Sequence, residues 1–301
     1  MTINDADAAK HALLTENYFS IVNGYKDIFL ENRKSEQYLA GTEFNHLYEL
    51  FLFDRELRLF FLPWLLKIEA RMRAVISHIT SGYYSSNPEF YLQPNTYLEQ
   101  KQKKAVEKMK RAHESDNLAI KHYRDNVGYI PFWVLVNKIT FGNLSHFYAS
   151  LKSDSLKNSI AKAYAIDVAD WKSYNGMLTT HRLQRYLWVM ANFRNVCAHD
   201  DRFYCHTIPR LRGSNQQTCR VSGLIQAVYA LLPHSEKMEF FSGLNNLIHD
   251  FKNNSHVNKE IGEKVEDIMG MTDWTKAELL KLKAEMVRLE NEINKMSRDE
   301  Q

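Results

Sequence analysis

The sequence predicts an all-α protein, and three observations carry that expectation. Apolar residues recur at spacings of three and four along almost every segment. Only 11 Gly and 6 Pro punctuate the 301 residues, which favours long helices over many short strands. No pair of runs alternates apolar and polar residues as paired strands do, and no internal repeat is visible.

Taken in order, Phe44, Leu47, Tyr48, Phe51, Leu52, Leu59 and Phe60 mark a helix over 44–62. Pro63 either kinks this helix or opens the next one, because it has no backbone N–H. A second helix is expected over 64–83, with Ile68, Met72, Val75, Ile76 and Ile79 turned inward. Ser85-Ser86-Asn87-Pro88 and Gln93-Pro94-Asn95 mark a loop. Residues 100–124 form a charged segment with eight Lys or Arg against three Asp or Glu. Gly128-Tyr129-Ile130-Pro131 is a break, and 132–151 reads as one apolar, aromatic stretch with Gly142 in its middle. Within it Trp133 and Phe141 are expected to pack helix on helix. Further helices are expected over 160–174, 183–198 and 221–232.

The C-terminus has another character. Thr275 with Glu278 three residues on is a capping-box pattern. Leu279, Leu282, Met286, Leu289, Ile293 and Met296 then follow at spacings of 3-4-3-4-3, a heptad seam. It serves either an amphipathic helix docked on its own body or a coiled coil pairing two chains. The expected organisation is a helical domain over 1–235, a helical connector over 236–273 and a heptad helix over 274–301.

Composition excludes several classes. Apolar residues make up 45% and charged residues 25%, ordinary values for a globular protein. The net charge of +3 is too small to prove a nucleic-acid partner; its distribution matters more. The cysteines Cys197, Cys205 and Cys219 are odd in number and crowded into one stretch, so a reducing cytoplasm is expected rather than a disulfide framework. The first ten residues lack the apolar core of a signal peptide. The longest apolar run, 59–66, contains Pro63 and is too short to span a bilayer.

The residues that best suit chemistry are Arg194-Asn195-Val196-Cys197-Ala198-His199. The apolar stripe Leu183, Leu187, Val189, Met190 and Phe193 leads into Arg194, and Asp200, Asp201 and Arg202 follow His199. The histidine is therefore placed at or just past a helix end. Cutting RNA without a metal requires taking a proton from a 2′-hydroxyl and giving one to the leaving 5′-oxygen, either of which a histidine can do. An arginine presents a planar fork to phosphate oxygens and stabilises the charge of the transition state. Asn195 can hold the phosphate or fix the histidine tautomer. One histidine per chain supplies one proton-transfer group, so two facing copies would supply both. The spacing alone is weak, since about 0.6 such matches are expected by chance in this composition. Arg73 and His78 provide one, within an apolar helix and with no Asn after the Arg; that copy reads as surface or structural.

Several separate blocks add to the motif. They are Glu16-Asn17-Tyr18-Phe19 through Asn23-Gly24-Tyr25; Phe53-Asp54-Arg55-Glu56-Leu57-Arg58 with Ile68-Glu69; Pro131-Phe132-Trp133-Val134 through Thr140-Phe141-Gly142-Asn143-Leu144-Ser145; and Arg194 to Arg202. In that order, over roughly 15–235, they resemble the Abi-like (AbiD/AbiF) family of phage-defence proteins. The resemblance implies a HEPN-type helical bundle in which Arg194 and His199 are catalytic and Asn195 accessory. It also implies homodimers with a composite site, no cofactor, and a bound structured non-coding RNA. Where many relatives carry a second histidine this chain has Asp200-Asp201, two carboxylates that would repel phosphate unless paired, with Arg202 or with an arginine of a facing chain.

Two basic stretches are candidates for phosphate contact. One contains Lys101, Lys103, Lys104, Lys108, Lys110 and Arg111 and is equally well a solvated face. The other, 202–235, has no Asp or Glu and carries Arg202, Arg210, Arg212 and Arg220 with Phe203 and Tyr204. Arginines interleaved with aromatics suit RNA through phosphate contact and base stacking. The set Asp54 to Arg58 is expected to hold an ion pair between helices. Cys197, His199, Cys205 and His206 have spacing unlike paired zinc ligands, Cys197 is expected inside its helix, and no metal site is assigned.

Overall fold

In a computed structural model the described residues are 1–32, 36–168, 178–209 and 219–271. They form eleven α-helices with short 3₁₀ and π turns between them, and no strand beyond isolated bridges. The helices are α1 (Ala6–Glu16), α2 (Phe44–Tyr83), α3 (Gln102–His113), α4 (Leu118–His122), α5 (Phe132–Leu135), α6 (Phe141–Ser150), α7 (Asp154–Val168), α8 (Thr180–Ala198), α9 (Val221–Leu231), α10 (His234–Lys252) and α11 (Lys259–Met269). The heptad seam from Thr275 onward lies outside the described residues.

The two helices expected around Pro63 are one, α2, of 40 residues. Its buried stripe is Leu57, Phe61, Leu65, Ile68, Met72 and Ile76, none more than 2% exposed. These spacings of three and four hold one face inward. Pro63 is tolerated because it lies on the opposite, exposed face. The carbonyl it leaves without a helical partner, that of Leu59, shares this face. For the same reason Leu59 does not join the core as its apolar character predicts; it is 57% exposed. The stretch 132–151 is not one helix but two. Thr140 accepts the Asn143 N–H at 3.1 Å and so starts α6 afresh as an N-cap. Trp133, on the short α5, is 51% exposed, its ring meeting that of Tyr123 edge-on at 5.5 Å, whereas Phe141 is buried as expected.

The chain divides into two compact units, each assembled from separate segments. The first comprises Met1–Phe61, Val196–Gly223 and Met238–Gln301. Its core is aromatic: Phe53 stacks on Phe251 at 4.1 Å, Phe61 meets Phe203 at 5.0 Å, and Tyr25 stacks on Tyr204 at 6.0 Å. Such pairs add about 0.5–1.5 kcal/mol each to the burial of their rings. Gly270 ends α11 with φ +75°, and a Cβ there would meet Ser222 Oγ at 2.8 Å, so only glycine fits. The second unit comprises Leu62–Asn195 and Leu224–Lys237. Its core gathers Phe90, Tyr91, Phe132 and Phe147, with Phe132 stacked on Phe147 at 4.6 Å. The Tyr164 hydroxyl donates to the Leu231 carbonyl at 2.9 Å, giving a buried polar tip its partner.

Candidate active site

The unit boundary falls within α8, after Asn195, so each end of the Arg-Asn-x-x-Ala-His motif is described in its own unit. In the second unit Arg194 is held by Glu69, a buried acid on α2. Arg194 Nε lies 3.5 Å from Glu69 Oε2, with the arginine side chain 34% exposed and the acid 8%. Neither of these two atoms has a hydrogen-bond partner, and both are shut off from solvent. The Nη groups of Arg194 have no protein partner among the described residues and are not shut off in this way. The guanidinium thus has one edge beside a buried acid, without a hydrogen bond, and its fork is left available, as a bidentate phosphate contact needs. Asn195 is exposed beside it.

The other oxygen of Glu69 binds Arg73, whose second nitrogen donates to the Val136 carbonyl. Arg73 is therefore structural, as its context predicts, and His78 is exposed near the C-terminal end of α2, five residues before Tyr83.

In the first unit α8 ends at Ala198, and His199 is exposed in the turn that follows. Asp200 takes a left-handed conformation, φ +56°, which Asp tolerates better than most residues. The Asp201 N–H closes the helix end on the Val196 carbonyl at 3.2 Å. What fixes this turn is a buried clasp on α2. Asp54 is fully buried and accepts from Tyr25 Oη at 2.7 Å, Arg58 Nη1 at 2.7 Å, Phe203 N at 3.0 Å and Tyr204 N at 2.5 Å. Burial pushes its carboxyl above the usual carboxylate range, and these donors pull it back. Arg58 reaches on to the Asp201 carbonyl at 3.3 Å and to Asp200 Oδ1 at 2.5 Å.

The partner of Asp200 is thus Arg58 and not Arg202. Arg202 donates to the Gly24 carbonyl at 2.6 Å and lies 3.4 Å from Asp27. The Asp54–Arg58 ion pair lies within α2, four residues apart, and grips the chain just beyond His199; the pair between helices expected of this set is made by Arg55. Arg55 in turn binds Glu16, one of its nitrogens at 2.8 Å, and this holds the Glu16 pKa down.

Other expected residues scatter. Arg220 donates to the Asp267 carbonyl at 2.8 Å, while Arg210 and Arg212 lie outside the described residues. Arg111 pairs with Glu107 on the surface of α3. Lys101, Lys103 and Lys104 line one cleft together with Lys108 and His146. Cys197 is only partly buried rather than inside its helix, and among the described residues no group of three His, Cys, Asp or Glu side chains is placed to hold a metal. Glu69 and the role of Arg58 were missed from sequence. The available signal was Glu69 four residues before Arg73, an i,i+4 ion pair within an otherwise apolar helix.

These features define an all-helical protein whose Arg-x₄-His motif is braced at both ends by buried acids. The chain belongs to the Abi-like protein family, whose profile matches residues 11–205. Among curated proteins and among solved structures, none matches it. The braces coincide with the blocks that carry the resemblance. Gly24, Asp54 and Arg58 meet the residues after the motif, Glu16 binds Arg55 of the same block, Glu69 lies beside Arg194, and Glu69 with Val136 holds Arg73. Among the described residues no helix is long and apolar enough to cross a membrane.

Proposed function

We propose that this chain acts in anti-phage defence as a metal-independent ribonuclease of HEPN type, with Arg194 and His199 as its catalytic residues and Asn195 assisting. The observation that carries the reading is Arg194 itself: an arginine whose Nε lies beside a buried acid and whose fork has no protein partner among the described residues, in the motif of an Abi-like chain. The 2′-oxygen of an RNA attacks the adjacent phosphorus as a base takes its proton. The P–O5′ bond breaks as an acid protonates the leaving oxygen. His199 of one copy serves as base and His199 of a second copy as acid, while Arg194 binds the phosphorane oxygens. A homodimer is therefore part of the proposal. Arg58 supports it by neutralising Asp200, the carboxylate next to His199 that would otherwise repel phosphate. Arg202, Arg210, Arg212, Arg220 and the lysines of 101–111 supply phosphate contacts, and a structured non-coding RNA is one proposed ligand.

The test is to incubate the protein with RNA in EDTA beside Arg194→Ala and His199→Ala. Cleavage by the native chain that both substitutions reduce at least about 100-fold is expected. RNA bound equally by all three and cut by none would leave a binding scaffold in place of the nuclease. Removal of the chain from Thr275 onward is expected to weaken the dimer in sedimentation; an unchanged dimer would assign the heptads to packing within one chain.

A further inference from the structure

Within the second unit, α3 and α6 border a cleft of about 890 Å³. Its floor is apolar, made by the buried Ala105, Met109 and Phe147. Its walls are basic: Lys103, Lys104 and Lys108 on α3 and His146 on α6, with no Asp or Glu in the lining. Lys101 ties the two walls together by donating to the Ala149 carbonyl at 2.8 Å. The acid nearest in sequence, Glu107, is occupied by Arg111. Lys103, Lys104 and Lys108 have no ion-pair partner among the described residues, although acids make up a comparable share of the sequence.

We propose that this cleft is a second RNA-contact site, in which the three lysines and His146 hold consecutive phosphates of a single strand above an apolar floor that takes a ribose or base. Spacing favours a strand over one small anion. From Lys103 to Lys108 α3 rises about 7.5 Å, so the three lysines leave the helix at spaced positions along it. A single phosphate would be met by a tight cluster. The volume also lies within the range of sites built to enclose a ligand, about 300–1,000 Å³. The groups facing His146 are Lys101, Lys104 and Lys108, and burial, then these charges, push its pKa down. A phosphate bound beside it reverses that push, so binding draws in a proton and tightens as pH falls.

The proposal rests on the RNA reading above but not on cleavage, and the experiment separates the two. Binding of a short single-stranded RNA is measured in the His199→Ala background, where the strand stays intact, as a function of salt. Replacing Lys103, Lys104 and Lys108 together with Gln is expected to weaken binding at least about tenfold and to lower the salt slope by about 2. A charge-matched control at the exposed Lys121, Lys138 and Lys162 should leave the slope within about half a unit of the parent. His146→Gln should remove part of the rise in affinity between pH 7.5 and 5.5. Equal losses in cleft and control variants, or no RNA binding at low salt, would overturn the site. Inorganic pyrophosphate bound as tightly as the strand, and lost with the three lysines, would reassign the cleft to small anions. A parent chain that cuts no RNA yet shows the cleft-dependent slope would remove the nuclease and leave the cleft standing.

Discussion

Two arginines of this chain stand five residues before a histidine, and they make opposite use of the same acid. Arg73 is consumed by the fold: it binds Glu69 and the Val136 carbonyl. Arg194 Nε lies 3.5 Å from the other oxygen of Glu69, and its Nη groups have no protein partner among the described residues. Their histidines differ as well. His78 stands exposed on the last turns of a continuous helix, while His199 lies in a turn that a buried aspartate and arginine hold in place. Spacing cannot separate the two copies. Occupancy of the guanidinium can, because donors spent on protein groups are not left for a phosphate.

That contrast can be broken or sharpened by substitution, beginning with the largest effect. Arg73→Ala strips Glu69 of its closest partner in a buried setting, and a loss on the order of 3 kcal/mol in denaturant unfolding is expected. Arg194→Ala should cost under about 1 kcal/mol, since its guanidinium is a third exposed and its contact long. Stability losses of equal size would erase the distinction between a structural and a presented arginine.

A smaller effect is expected at Asp200. Its side chain is 72% exposed although Arg58 is buried, so Asp200→Asn should change stability by less than about 1 kcal/mol. Asn also tolerates the left-handed backbone of this position. If the turn unravels instead, as read by faster amide exchange at Asp201 to Tyr204, the clasp depends on the outer ion pair more than on Asp54.

The smallest expected effect is in pH dependence. Burial lowers the pKa of His46, of His146 and of His206. The unfolded chain then binds more protons than the folded one just below the ordinary histidine value, so stability should fall as pH drops through about 6.5 and below. Each of His46→Gln, His146→Gln and His206→Gln should flatten that slope in thermal or urea unfolding. A slope indifferent to all three would place the titration elsewhere.

Much of the fold was legible because periodicity records burial. The expected start near Leu183 and end at Ala198 match α8 to within three residues at one end and none at the other. The span 221–232 differs from α9 by one residue. What periodicity could not supply was partnership across the chain. Pro63 reads as a break until its face is known to be the exposed one. The split at Thr140 turns on one hydroxyl capping one N–H. Arg194 and His199 were visible as a motif and Asp54 to Arg58 as an ion-paired set, yet nothing in the sequence showed that Glu69, Asp54 and Arg58, all on α2, meet the chain at the two ends of that motif. Likewise the lysines of α3 read equally as a solvated face or a phosphate contact, and the sequence does not show that α6 brings His146 to them.

The central claim is that the second copy of the motif, not the first, is the one that does chemistry. The most direct measurement compares the rate of RNA cleavage in EDTA for His199→Ala and for His78→Ala, with folding of each checked by circular dichroism. The account predicts a loss of at least about 100-fold for the first and a rate within about twofold of native for the second. Equal rates for the two variants, or a greater loss at His78, would contradict it.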